Sequence, residues 1–208
     1  LIRNNKNDFN VVGLTCNSNI DKLIKISNEF DCNHLGINND SQIENYPQLK
    51  DYNIYSGLNE FSNLMNSSVD IIIFAIAGSS AINLLMNIAT SGKIIGLANK
   101  ECIICLGKSL LDIASKSSTK IVPLDSEHNA IFQLIKNKNK DAIRKYTITA
   151  SGGSFYNFEK TKLKTITPNQ ATFHPKWKMG KKITVDSSTL MNKGLEIIEA
   201  CIFFDLEP

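Results

Sequence analysis

Apolar residues gather into short runs separated by polar turns between residues 69 and 98. The run VDIIIFAI at 69–76 predicts a strand buried on both faces, and KIIGLA at 93–98 predicts the next strand. Residues 79–91 repeat apolar side chains at helical spacing and place Asn83 and Asn87 on the opposite side. The segment therefore predicts a strand, a helix and a second strand in a parallel crossover.

The same alternation occurs before and after this segment. Residues 11–14 predict a strand, residues 21–30 an amphipathic helix, and residues 120–124 (KIVPL) a later strand. Repeated strand–helix units with short turns favour a parallel sheet with helices on both faces. The fold class is therefore expected to be α/β, with a doubly wound, mainly parallel, Rossmann-like sheet.

The pattern changes after residue 124. Residues 126–135 and 195–204 predict helices, and YTITA at 146–150 predicts a strand. We therefore expect two domains, the parallel sheet at 1–124 and a smaller α+β domain at 125–208.

Composition and charge exclude several classes of protein. The chain has 208 residues, of which 42% are hydrophobic and 21% charged, and its net charge is +3. These values are typical of a globular domain and exclude disorder and coiled coil. The lysine-rich residues 136–145 have little aromatic interleaving, so nucleic acid is not an expected partner. The uncharged residues 71–92 are split by Gly78 and two serines, so no membrane span is expected.

Five cysteines are scattered along the chain, an odd number that does not match the dense framework of a disulfide-stabilised secreted domain. Cys102 and Cys105 form a CxxC, but no second pair follows to complete a zinc site. We expect free thiols and a reducing compartment.

Two carboxylates directly follow the strand at 120–124. Asp125 and Glu127 stand two residues apart, at the end of a parallel sheet where ligands bind. Oxygen ligands of this kind suit Mg²⁺ or Mn²⁺. Both residues could equally interact with the N-terminus of the following helix, and the local pattern leaves the two alternatives open. His128 is interpreted as structural.

Several polar clusters could bind an anion. Ser151, Gly152, Gly153 and Ser154 follow the predicted strand at 146–150 and could form a phosphate nest or a plain turn. Hydroxyls at 187–189 are followed by Asn192 and Lys193, a combination that suits a phosphate. Glu196 could supply a third carboxylate for a cation at Asp125, or it could face water on an amphipathic helix.

Residues 173–180 (FHPKWKMG) combine the single Trp with a His, a Pro and a Gly. This mixture is unusual for a core element. We interpret the segment as a mobile lid that covers a ligand.

Taken together, these residues resemble a known family. The runs LANKE at 97–101, PLDSEHNAIFQ at 123–133, SGG at 151–153 and HPKWKMGKKITVDSSTLMNKGLEIIEA at 174–200 resemble the 1-deoxy-D-xylulose-5-phosphate reductoisomerase family. The resemblance implies an oxidoreductase that uses NADPH and Mg²⁺ or Mn²⁺, usually as a homodimer. Such an enzyme converts 1-deoxy-D-xylulose 5-phosphate to 2-C-methyl-D-erythritol 4-phosphate in non-mevalonate isoprenoid biosynthesis.

The resemblance also implies roles for individual residues. It makes 1–124 the NADPH-binding domain and 125–208 the catalytic domain. Catalytic roles fall to Lys100 and to three metal ligands, Asp125, Glu127 and Glu196. The substrate contacts it implies are Lys100, Ser126, Glu127, Ser151, His174, Ser187, Asn192, Lys193 and Glu196. The cofactor contacts are Asn99, Glu101 and Gly180, and the lid residues are Trp177 and Met179.

The chain also departs from the family pattern. Asn17, Ser18 and Asn19 stand where the family tends to have Gly-Lys-Asn. The family's glycine-rich loop and C-terminal helical domain are not in the sequence, so we expect a fragment. A non-catalytic module that binds metal and phosphate is the alternative function. The high content of Asn, Lys and Ile favours a plastid-type, apicoplast-like organelle over a bacterial cytoplasm.

Overall fold

The computed structural model describes residues 1–65, 69–173 and 180–207. The chain divides into two compact units. The first comprises Leu1–Gly96 and Asp112–Ile121, and the second comprises Leu97–Leu111 and Val122–Pro208. The boundary proposed from the sequence between residues 124 and 125 stays a prediction.

The first unit contains a parallel three-stranded sheet in the order β1-β2-β3. Its elements are β1 (Gly13–Cys16), α1 (Ile20–Phe30), β2 (His34–Ile37), β3 (Asn53–Ser56) and α2 (Gly57–Met65). The register pairs Gly13 with His34 and His34 with Asn53. Strand β1 begins and ends two residues later than the strand predicted at 11–14.

Helices α1 and α2 cover opposite faces of this sheet. Leu35 and Ile37 pack with Ile20 and Leu23 of α1. Gly36 points to the other face, where a Cβ atom would lie 2.6 Å from Phe61 of α2. Because side chains alternate along a strand, the two helices must lie on opposite sides, which is a doubly wound arrangement.

A second three-stranded sheet has the order β4-β5-β6. The elements that build it are β4 (Ile71–Phe74), α3 (Ile82–Ile88), β5 (Ile94–Leu97), α4 (Lys100–Leu106), α5 (Lys108–Lys116) and β6 (Lys120–Pro123). The backbone N–H of Ile94 donates to the Asp70 carbonyl oxygen, and that of Lys120 donates to the Lys93 carbonyl oxygen. Each hydrogen bond joins the starts of two neighbouring strands. These strands are therefore parallel, and the α/β expectation is confirmed.

One detail of the prediction for residues 69–76 is wrong. Ile72 and Phe74 are buried, but Ile71 and Ile73 are 49% and 58% exposed. The described residues cover β4 on one face only, so the continuous apolar run does not mean burial on both faces. On α3, Asn83 and Asn87 are exposed, as the helical spacing predicts.

The residues of the second unit that follow β6 are helical or irregular where the structure describes them. Their elements are α6 (Ser126–Ile135), α7 (Pro168–Ala171), α8 (Lys181–Ser188) and α9 (Met191–Phe204). Helix α6 has the predicted bounds, whereas the strand expected at 146–150 is wrong. A strand needs a hydrogen-bonding neighbour, and the described residues provide none for this segment. Instead, Tyr146 and Ile148 pack on the cluster that Ile131, Ala200 and Phe204 form between α6 and α9.

None of the described helices combines the length and apolar character needed to cross a bilayer.

Candidate functional site

The first two carboxylates stand at the N-terminus of α6, directly after β6. Asp125 is the N-cap residue, and its Oδ1 accepts a long hydrogen bond of 3.4 Å from the Glu127 amide. Glu127 lies in the first turn and also accepts from the Ser126 hydroxyl at 2.6 Å. Capping is therefore real but weak, and Asp125 Oδ2 takes no part in it.

Helix α9 supplies the third carboxylate. Glu196 is 1% exposed although it is ionisable. Asn192 and Lys193, one helical turn earlier, both donate to its carboxylate. Lys193 Nζ also lies 3.0 Å from Glu127 Oε1, so one ammonium links α6 to α9.

Lys100, the first residue of α4, is 9% exposed. Its Nζ donates to Asn192 Oδ1 at 2.5 Å and lies 3.5 Å from Asp125 Oδ2. Asn99 fixes the start of this helix because its side chain accepts from the Cys102 amide at 2.6 Å. The cap thereby sets the direction in which Lys100 leaves the backbone.

The three carboxylates converge. One oxygen from each of Asp125, Glu127 and Glu196 lies within 4.8 Å of the other two. An all-oxygen donor set at this spacing fits a hard divalent cation such as Mg²⁺ or Mn²⁺. The structure thus brings together seven of the ten residues assigned to catalysis or substrate binding, namely Lys100, Asp125, Ser126, Glu127, Asn192, Lys193 and Glu196.

Electrostatics differ between these carboxylates. Burial raises the pKa of Asp125, but the facing His128 ring and the Lys100 ammonium outweigh it, and the pKa falls well below its usual range. Burial raises the pKa of Glu196, and Lys193 only partly offsets this effect while Glu127 adds to it. The crowding of negative charge is the electrostatic condition that a cation relieves.

A second polar group forms where residues 151–153 meet the end of α8. Gly153 has φ +72°, and a Cβ atom there would lie 2.2 Å from the Ser187 carbonyl oxygen. The Gly153 amide donates to Ser151 Oγ at 3.2 Å. Glycine at 153 thus allows the Ser151 loop to approach Ser187, the two serines assigned to phosphate by resemblance.

Two residues assigned to the cofactor lie at the ends of helices α4 and α8. Glu101 Oε1 lies 2.9 Å from Lys182 Nζ, which also contacts Asp186 at 2.8 Å. Burial raises the pKa of Glu101, but the Lys182 ammonium more than offsets it, and the net direction is down. Gly180 is the N-cap of α8, and its carbonyl oxygen accepts from Thr184 Oγ1 at 3.0 Å.

Not every candidate joins the carboxylates. Among the residues that the structure describes, Gly180 and Ser187 form no hydrogen bond or ion pair with them. His174, Trp177 and Met179, the remaining substrate contact and the lid, lie outside the described residues.

Sequence reasoning missed Glu199 and understated His128. Glu199 is 3% exposed and His128 fully buried, and both lie beside Asp125. Burial raises the pKa of Glu199 to about 7, and the His128 ring only partly opposes it. Glu199 could have been found, because residues three apart on a helix share a face and Glu196 already pointed inward.

Comparison with known proteins gives a single family. The family model of the 1-deoxy-D-xylulose 5-phosphate reductoisomerase matches residues 1–107, and that of its C-terminal domain matches residues 121–204. The reductoisomerase of Wolbachia pipientis from Culex pipiens is 41% identical over 100% of this chain and 54% of its own length. That of Clostridium perfringens strain 13 is 40% identical over 99% of this chain and 55% of its own length.

Solved structures agree with the sequence comparisons. A crystal structure of DOX-P reductoisomerase in complex with NADPH, fosmidomycin and magnesium superposes with a TM-score of 0.86 and 36% identity, covering 99% of this chain and 54% of that one. The Zymomonas mobilis enzyme in complex with NADPH gives a TM-score of 0.86 at 32% identity, with 99% and 54% covered. The chain spans about half the length of the curated relatives it matches. On sequence and structure together, the chain belongs to the 1-deoxy-D-xylulose 5-phosphate reductoisomerase family.

Proposed function

We propose that this chain carries the metal- and substrate-binding face of an enzyme that rearranges and reduces 1-deoxy-D-xylulose 5-phosphate to 2-C-methyl-D-erythritol 4-phosphate. The reaction uses NADPH and a divalent cation, Mg²⁺ or Mn²⁺, and serves non-mevalonate isoprenoid biosynthesis. Membership of a reductoisomerase family argues against the alternative of a non-catalytic binding module.

One observation carries the proposal. Oxygen atoms of Asp125, Glu127 and Glu196, which are separated by up to 71 positions in the sequence, converge to within 4.8 Å. The related crystal structure contains magnesium, NADPH and fosmidomycin. A cation held by these carboxylates acts as a Lewis acid that stabilises negative charge developing on substrate oxygens.

The chain's own side chains bind and orient the substrate. Lys100 is held by Asn192 and faces Asp125, so its ammonium is oriented toward the substrate oxygens beside the cation. Phosphate binding is assigned to Asn192, Lys193 and the serines at 126, 151 and 187. Binding of the phosphate, which does not itself react, converts binding energy into orientation of the reacting carbons.

The cofactor site uses Asn99, Glu101 and Gly180, and NADPH supplies the hydride. The Asn99 side chain caps α4, so it fixes the start of the helix on which Glu101 stands. Asn17, Ser18 and Asn19, which stand where the family tends to have Gly-Lys-Asn, follow β1, and the Asn17 side chain accepts a hydrogen bond from the Asn38 side-chain amide at 2.8 Å. His174, Trp177 and Met179 complete the assignment as a substrate contact and a lid.

The proposals for oligomeric state, binding partners and cellular location rest on the family resemblance and on the composition of the chain. The active protein is a homodimer, does not bind nucleic acid or membranes, and works in a plastid-type organelle. A bacterial cytoplasm is the competing location, and the relatives named above are bacterial. Light scattering of the protein from its full reading frame tests the dimer, and fluorescence microscopy in the source cell tests the location.

Oxidation of NADPH tests the function directly. The protein, expressed from its full reading frame, is expected to oxidise NADPH only with both 1-deoxy-D-xylulose 5-phosphate and Mn²⁺ present. Asp125→Asn is expected to lower kcat by at least about 100-fold, because it removes one charged ligand of the Lewis acid. Asp112→Asn, an exposed aspartate on α5, is the matched control and is expected to keep the activity. A folded, metal-loaded protein that never oxidises NADPH would contradict the proposal.

A further inference from the structure

His128 is a fully buried side chain to which the proposed reaction gives no role. It lies one turn after Asp125 on α6. Its Nε2 is 2.8 Å from the backbone carbonyl oxygen of Glu196 on α9. Because a carbonyl oxygen only accepts, Nε2 carries a hydrogen and donates it. The ring is thereby attached to α9 at the position of a metal-ligating residue.

The opposite ring nitrogen faces the other carboxylates. Nδ1 lies 3.7 Å from Asp125 Oδ1 and 4.0 Å from Glu199 Oε2. Within the described residues, neither Nδ1 nor Glu199 Oε2 has a hydrogen-bond partner, although both atoms are buried. Unpartnered buried polar atoms are costly, so their retention at this place requires a reason.

The surroundings explain how the ring is held. Ile131, Ala200 and Phe204 form an apolar cluster between α6 and α9, and the His128 and Phe203 rings lie 6.1 Å apart. His128 is therefore the polar end of a packed helix–helix contact. A ring fixed by such packing holds whatever it contacts in a defined place.

We propose that His128, supported by Glu199, is a positioning residue that sets the relative placement of Asp125 and Glu196 for the cation. The inference rests on the proposed function, since it assumes that these two carboxylates bind a metal. The ring lies between the two ligands: its Nε2 donates to the backbone carbonyl oxygen of Glu196, and its Nδ1 faces the Asp125 side chain at 3.7 Å. Residues that orient metal ligands in this way typically change metal affinity by about 10–100-fold when they are replaced.

A second cation beside the first is the competing explanation. One atom from each of Asp125, His128 and Glu199 also lies within 4.8 Å of the others. The hydrogen bond between His128 Nε2 and the Glu196 carbonyl oxygen favours positioning, because it ties the ring to the helix that carries a ligand of the first cation.

The test measures Mn²⁺ binding without turnover. The protein from its full reading frame is titrated with Mn²⁺ alone, and free Mn²⁺ is followed by electron paramagnetic resonance. We expect one tight ion per chain. His128→Gln is expected to weaken its binding about tenfold and His128→Ala about 100-fold, because glutamine can still donate to the Glu196 carbonyl. Circular dichroism establishes that each variant is folded.

Two further variants separate positioning from general damage. Glu199→Gln keeps the shape of the buried His128–Glu199 pair and is expected to weaken Mn²⁺ binding about tenfold. This variant tests the proposal even if the His128 variants do not fold. His34→Gln is the matched control. His34 contacts the Tyr55 hydroxyl at 3.1 Å in the first unit, and its replacement is expected to leave Mn²⁺ affinity unchanged.

Three results would overturn the inference. Folded His128 variants with the affinity of the parent would show that the ring has only a structural role. Two ions in the parent and one in His128→Ala, with the remaining affinity unchanged, would identify a second cation site instead. A parent that binds no Mn²⁺ would remove the metal from the proposed function as well, an outcome distinct from the other two.

Discussion

The two units of the chain bury different kinds of side chain. The described buried residues of the first unit are apolar apart from the hydroxyl-bearing Ser27 and Thr119. The second unit also buries groups that can carry charge, namely Lys100, His128, Glu196 and Glu199. Burial of apolar groups stabilises a fold, whereas burial of charge costs stability unless each charge is compensated. The buried ionisable groups of the second unit lie in and around the candidate metal site, where their mutual contacts offset part of the cost of burial.

The largest expected effect comes from the apolar core of the first unit. Leu85 on α3 is fully buried. Leu85→Ala is expected to lower the free energy of unfolding by about 2–5 kcal/mol, since it removes buried methyl groups and leaves a cavity. Mn²⁺ affinity of the folded variant is expected to stay at the parent value. Urea denaturation measures the free energy of unfolding, and a Mn²⁺ titration measures the affinity of the folded variant. A variant that loses Mn²⁺ affinity as well as stability would contradict the distinction between the two units.

A smaller effect on the free energy of unfolding is expected from the titration of Glu199 in the second unit. The pKa of Glu199 is raised from 4.5 to about 7, so the folded chain binds more protons than the unfolded chain between these values. Stability contributed by the protonated group is present at low pH and is lost as pH rises through 7. The parent is therefore expected to lose about 2–3 kcal/mol relative to Glu199→Gln between pH 5 and pH 8.

Urea denaturation of both proteins in EDTA at the two pH values measures this difference. Parent and variant share all other titratable residues, so the difference between their pH profiles reports the titration of Glu199. Equal pH profiles would show that Glu199 is not desolvated in the folded protein.

The smallest expected effect compares two helix caps, one in each unit. Asn19 accepts from the Lys22 amide at 3.1 Å at an exposed site, and Asn99 accepts from the Cys102 amide at 2.6 Å at a buried one. Alanine at either position is expected to cost about 1 kcal/mol. Only Asn99→Ala is also expected to weaken NADPH binding, because it displaces the residues assigned to the cofactor. Thermal unfolding and NADPH fluorescence titration measure the two effects, and equal NADPH affinities would remove Asn99 from the cofactor site.

Much of the fold could be predicted from local pattern. Helix α6 has the bounds expected from its apolar spacing, and four of the six described strands, β1, β4, β5 and β6, lie within two residues of a predicted strand. Strands β2 and β3 were not predicted. The strand expected at 146–150 was wrong because its β-branched residues also suit packing against the side of a helix pair. The same ambiguity led to the wrong burial of Ile71 and Ile73, since a continuous apolar run does not show which of its faces is covered.

The candidate site was predictable to a different degree. Its residue types stand in recognisable motifs, but the meeting of Glu127 with Lys193 or of Lys100 with Asn192 depends on helix packing, which no local pattern specifies. The three-residue spacing from Glu196 places Glu199 on the same face of α9, but its position beside His128, 71 positions earlier in the chain, follows only from helix packing. Long-range pairs of this kind are what the sequence alone leaves undetermined.

The contact between Gly153 and the Ser187 carbonyl oxygen has a consequence for the genetic history of this chain. The backbone leaves no room for even a methyl group, and its φ of +72° disfavours every other residue type. Any base change outside the third position of a glycine codon replaces the residue. Position 153 therefore offers no neutral amino-acid replacement, and we expect a saturation library selected for activity to retain only synonymous codons there.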